Sequence, residues 1–90
     1  MPSILIPVPL RKLTNNADLV YVKGTTILEV IDNLELGYPG IKERLLNEQG
    51  GIRTFVNIYV NAEDIRFMKS QFTEVTDSDE ISIVPAMAGG

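Results

Sequence analysis

Ninety residues suffice for one domain, and no shift in composition along the chain marks a second. The 44% apolar content supports an ordinary core, but the absence of Cys, His and Trp removes the thiol nucleophile, the imidazole base and the soft metal ligands. A formal charge of −4, with the eight basic residues scattered, argues against nucleic acid and suits a protein partner with a basic docking surface. The fold must therefore stand without disulfides or a zinc site. Met1-Pro2-Ser3-Ile4-Leu5-Ile6-Pro7 has no basic leader and no apolar run of signal length. No stretch approaches the ~20 apolar residues of a membrane span. A cytoplasmic location with no membrane contact is expected.

Ser3 to Val8 alternates, with Ile4, Ile6 and Val8 on one face and Leu5 on the other, which predicts a strand. Pro7 and Pro9 cannot donate to a ladder, so pairing should end near Ile6 or Val8. A polar connection through Thr14-Asn15-Asn16 leads to a second strand over Asp18 to Lys23. Ile27, Val30, Ile31 and Leu34 then fall at i, i+3, i+4 and i+7, one face of a helix. Thr26 and Glu29 have capping-box spacing at its start, and Gly37 with Pro39-Gly40 should stop it. A shorter helical turn is expected over Ile41 to Asn47, with Ile41 and Leu45 inward.

Arg53 to Asn61 is the clearest strand, with Val56, Ile58 and Val60 on one face and Phe55, Asn57 and Tyr59 on the other. Ile65 to Phe67 is read as a short strand, and Phe72 to Val75 as loosely packed. Glu80 to Val84 should be the last strand, with Ile81 and Ile83 inward. One long helix must then cover one face of a small mixed sheet, with the first and last strands side by side in its middle. That α+β arrangement is the β-grasp (ubiquitin-like) fold, expected over residues 1–84. It leaves the second sheet face without a helix.

Two features of this layout invite function. Leu5, Phe55, Tyr59 and Val84 would project from the uncovered face as an apolar docking surface with aromatic anchors. The competing placement tucks Phe55 and Tyr59 under the loop from Gly37 to Ile52. The second feature is the segment Pro85-Ala86-Met87-Ala88-Gly89-Gly90, expected to be an extended tail over residues 85–90. At glycine's average usage of about 7%, two successive glycines at a given place arise by chance about once in two hundred. Pro85 should hold Val84 extended and halt the ladder, and Ala86 to Gly90 would reach roughly 15–18 Å. Glycines at the tip have no β-carbon, so another backbone can approach the terminal carbonyl closely. The alternative is a frayed terminus that touches nothing. Acidic residues at Glu63-Asp64 and Asp77/Asp79/Glu80 sit at turns, where they solvate loops or accept backbone amides, and no metal site is expected from them.

A β-grasp domain with a Gly-Gly tail resembles the ubiquitin-like sulfur carriers of the ThiS/MoaD type. The resemblance is most specific over Asp77-Ser78-Asp79-Glu80-Ile81-Ser82-Ile83-Val84-Pro85-Ala86-Met87-Ala88-Gly89-Gly90. Within the family the chain is most similar to the carriers of a cysteine-forming pathway, through Gly40-Ile41-Lys42-Glu43-Arg44-Leu45, Phe55-Val56-Asn57-Ile58-Tyr59-Val60-Asn61 and Glu63-Asp64-Ile65-Arg66-Phe67. Ser78 stands where the family turn often has Gly, Ala86 where the molybdopterin branch has a second proline, and Met87 where Val is usual.

The resemblance implies a substrate of enzymes, not an enzyme. The Gly90 carboxylate would be adenylated by a ubiquitin-activating-type adenylating enzyme that uses ATP, and then converted to a thiocarboxylate. The tail residues Pro85, Ala86, Met87, Ala88 and Gly89 would enter the partner's active site, while the enzyme grips the open face. A sulfur donor protein and a sulfur-accepting synthase complete the implied partners, and the carrier itself binds no cofactor. Three further readings remain beside this one: the small subunit of molybdopterin synthase, a protein modifier conjugated through Gly90, and a plain interaction domain.

Overall fold

The computed structural model describes residues 1–85; residues 86–90 are outside that description. Five strands form one mixed sheet in the order β2-β1-β5-β3-β4. They are β1 (Ser3–Leu5), β2 (Leu19–Tyr21), β3 (Val56–Val60), β4 (Glu63–Asp64) and β5 (Glu80–Pro85). The first and last strands lie side by side and parallel, with Ile4 opposite Ile81, and every other pairing is antiparallel. Helix α1 (Ile27–Gly37) covers one face, and the short helix α2 (Lys42–Leu45) follows it. This is the expected β-grasp arrangement.

The helix begins where the capping box placed it. The Thr26 hydroxyl accepts from the Glu29 amide at 3.2 Å, and the Glu29 carboxylate reaches back to the Thr25 amide at 3.0 Å. Ile27, Val30, Ile31 and Leu34 are all buried against the inward faces of the strands, where Ile4, Ile58, Ile81 and Ile83 meet them. Ile41 and Leu45 are fully buried, as the short helical turn required. At the far end it is Gly40, at φ +102°, that takes the left-handed conformation. Both oxygens of Glu35 accept its amide, and Oε1 also takes the amide of Lys42. These amides, Gly40 first, hold the Glu35 carboxyl below its usual range.

Three local expectations are corrected. The first strand stops at Leu5, and the prolines open a 3₁₀ helix over Val8–Leu13 ahead of the polar connection through Thr14-Asn15-Asn16. Proline costs no hydrogen bond at the start of a helical turn, where its N–H would be unpaired anyway. Val8 is therefore 70% exposed instead of facing inward with Ile4 and Ile6. Ile65–Phe67 is likewise a 3₁₀ turn, not a strand, because the Asp64 carboxylate caps it by accepting from the Arg66 amide at 2.8 Å. That turn drives Ile65 fully into the core and leaves Phe67 outside. The stretch from Phe72 to Val75 is tied down: Thr73 and Val75 are buried, and the Val75 amide donates to the Thr25 carbonyl.

Candidate functional site at the open sheet face

The register of the strands builds the uncovered face. Leu19, Leu5, Ser82, Tyr59 and Asp64 are consecutive partners in one row across all five strands. Val84 pairs with Asn57 in the next row toward the end of β5, and Tyr21, Ser3 and Glu80 form the row on the opposite side. Alternation along each strand sends the intervening Ile4, Val20, Ile58, Ile81 and Ile83 under the helix. Leu5 and Val84 are 48% and 43% exposed, and Tyr59 is half-buried. Leu19 and Tyr21 are exposed beside them, although the sequence reading did not single them out. The alternation of Leu19 and Tyr21 with buried Val20 and Val22 was the signal available.

Phe55 is 56% exposed, so it is not tucked beneath the loop from Gly37 to Ile52. It lies outside β3, in a turn over Arg53 to Val56 closed by the Val56 amide on the Arg53 carbonyl at 3.1 Å. Phe55 therefore stands at the end of the open face, and the turn carrying it leads into Val56, the partner of Pro85. Pro85 itself belongs to β5, one residue beyond the expected end of that strand. The aromatic turn and the last described residue of β5 are thus neighbours. Ala86, Met87, Ala88, Gly89 and Gly90, the expected tail and its reactive end, lie outside the described residues.

The other end of β5 is held by a polar knot. The Asp79 carboxylate accepts from the Thr76 amide at 2.7 Å and from the Asn61 side chain at 2.9 Å. The Asn61 carbonyl oxygen accepts in turn from the Glu80 amide. The Thr76 amide first and the Asn61 side chain second hold the Asp79 carboxyl below its usual range. Positive φ falls at Asn15, Asn16, Asn61, Ala62 and Ser70 among the described non-glycine residues, so Ser78 serves its turn without glycine's freedom.

Among the described residues no group of three His, Cys, Asp or Glu side chains could hold a metal ion. No described helix is long and apolar enough to cross a membrane. A recess of about 700 Å³ is lined by Glu35, Lys42, Glu43, Asn47, Glu48 and Arg53. Its Glu35 is engaged by the backbone amides of Gly40 and Lys42. What the described surface does present is a shallow apolar face beside the end of β5.

Known proteins share this design over its full length. The sulfur carrier protein CysO of Mycobacterium tuberculosis is 43% identical over 90 residues, covering 98% of this chain and 97% of that one. Small archaeal modifier protein 3 of Haloferax volcanii is 32% identical over 65 residues, 72% of this chain and 70% of that one. A chain in the crystal structure of the Amycolatopsis orientalis BexX/CysO complex superposes with a TM-score of 0.94 at 43% identity, each chain covered completely. With residues 4–90 matching the family pattern from the first strand through Gly90, the chain belongs to the ThiS family.

Proposed function

We propose that this protein is a sulfur carrier, a substrate handed between enzymes, whose Gly90 carboxylate is activated and then sulfurated. The observation that carries the reading is the family match running through residue 90, with the mycobacterial sulfur carrier aligned over nearly all of both chains. A carboxylate is a poor electrophile. Attack of its oxygen on the α-phosphorus of ATP gives an acyl adenylate and expels pyrophosphate. A hydrosulfide-equivalent nucleophile then adds at the carbonyl and expels AMP, leaving a thiocarboxylate and releasing a proton. The anionic sulfur is the nucleophile for the next enzyme, as a thiolate would be. None of these steps needs a base on the carrier, which accords with a chain that has neither His nor Cys.

In this reading the open face is the handle. An adenylating enzyme of the ubiquitin-activating type grips Leu5, Tyr59 and Val84, with Phe55 at the end of the patch, and draws in the segment that follows Pro85. Ala86, Met87, Ala88 and Gly89 occupy the partner's channel, with Pro85 at its mouth in β5, and ATP binds to the partner. A sulfur donor protein and a sulfur-accepting synthase act in turn, and the product is cysteine or a related sulfur metabolite. The adenylating step takes place in the cytoplasm.

A second reading, conjugation to target lysines through Gly90, is favoured by the similarity to the haloarchaeal modifier protein. Intact-mass analysis of protein from its native cells separates the two. A sulfur-for-oxygen mass shift supports the carrier. Isopeptide-linked ladders that vanish when Gly90 is deleted, without that shift, support the modifier and overturn the carrier.

A further inference from the structure

The β3 edge loses its neighbour early. Strand β4 ends at Asp64, opposite Tyr59, and the chain then turns away into the 3₁₀ segment Ile65–Phe67. The Asn61 amide bonds to the Glu80 carbonyl, so the alternation of an antiparallel ladder turns the Val56 carbonyl away from β5. Val56 therefore faces an edge that no strand covers among the described residues.

Arg66 covers it. Its amide is fixed by the Asp64 cap, and its guanidinium folds back over the start of β3. Nη2 donates to the carbonyls of Arg53 at 2.7 Å and Val56 at 2.6 Å, and Nη1 donates to Asn57 Oδ1 at 2.6 Å. Arg53 and Val56 are the two ends of the turn that carries Phe55. Asn57 and Val56 are the β3 partners of Val84 and Pro85. One planar fork thus staples the aromatic turn shut and pins it to the strand along which the chain leaves the sheet. Such a fork has no equivalent in lysine, whose three donors radiate from one nitrogen.

We propose that Arg66 is a positioning residue for sulfur loading: it holds the Phe55 turn in a fixed relation to Pro85, so that a partner gripping the face receives the following segment in register. This deepens the carrier reading and rests on it. Hydrogen bonds to a charged donor are the stronger kind, so loss of the fork should free the turn locally while the distant core stays closed.

The test replaces the native copy with R66A or R66K and reads two things on each purified protein: the thiocarboxylate fraction by intact mass, and amide exchange by NMR. In R66A the amides of Val56 and Asn57 should exchange about tenfold faster, while those of Tyr59 and Ser82 stay unchanged. The thiocarboxylate fraction should fall several-fold although the protein remains folded. R66K should restore neither reading, because charge alone does not rebuild the fork. The proposal is overturned if R66A matches wild type in either reading, or if R66K restores both. A wild-type protein that never carries sulfur contradicts the carrier reading instead. The proposal for Arg66 in loading then falls with it, and the exchange data alone decide whether Arg66 holds the turn.

Discussion

Asn61 and Asp79, 18 residues apart, lock the β3–β4 turn onto the start of β5 through a hydrogen bond of 2.9 Å from Asn61 Nδ2 to Asp79 Oδ1. The same carboxylate takes the Thr76 amide, so both donors favour its ionised form. Asp79 is held below its ordinary carboxylate range, and so is Glu35 near the C-terminal end of α1. A depressed folded value means stability that is present above the unfolded value and lost as pH falls through the folded one. Denaturant midpoints should therefore hold steady near neutrality and drop below about pH 4. D79N, which puts a donor against donors, should lower stability at pH 7 by at most about 1 kcal/mol at this solvent-screened site and flatten part of that acid-side drop. An acid profile identical to wild type would show that the knot contributes nothing.

The helix cap gives a second expectation. Thr26 accepts the Glu29 amide, which otherwise has no intrahelical partner. T26A should cost about 1 kcal/mol in urea unfolding, while T26S should cost much less. Because the lesion is local to the start of α1, the dependence on urea concentration should not change.

Gly24 offers a third, on steric grounds. A Cβ there would lie 2.5 Å from Val30 Cγ2 and 2.8 Å from the Val30 backbone nitrogen, which is helix and cannot give way. G24A should destabilise the fold by about 1–3 kcal/mol, in the range for overpacked cores. The double variant G24A/V30A relieves only the side-chain part of the clash, so it should not recover full stability.

These positions also show what could be read in advance. The period of Ile27, Val30, Ile31 and Leu34, with the Thr26–Glu29 spacing, was sufficient for α1 because both signals come from neighbours in the chain. The alternation of β3 and β5 fixed which side meets the helix, and the central pairing of the first and last strands followed from the connections, while the two-residue β4 was not anticipated. The 3₁₀ segments were missed because three-residue repeats leave no long period, and Val8 imitates a strand position until Pro7 and Pro9 turn the chain. Arg66 was quoted only as part of a resemblance. Its role depends on carbonyls 10 and 13 residues away, which no local pattern encodes. Leu19 and Tyr21 joined the open face only once the register placed Leu19 opposite Leu5.

The open face supplies a fourth prediction. Val84 projects into solvent in the row beside Tyr59, and Asp64 and Glu80 already place carboxylates on this side. V84E should leave folding stability within about 0.5 kcal/mol, as for other surface changes. It should weaken recovery of the adenylating enzyme from native lysate about tenfold, equivalent to about 1.4 kcal/mol. Undiminished recovery would move the docking site to another face.

The most direct measurement is top-down fragmentation of the intact protein isolated from its native cells, which locates any added sulfur along the sequence. The carrier account predicts that the sulfur-for-oxygen shift resides in the fragment containing Gly90, and that it disappears when Gly89 and Gly90 are deleted. A fully unsulfurated protein in cells active in sulfur assimilation, or sulfur found only on residues ahead of Pro85, would contradict it.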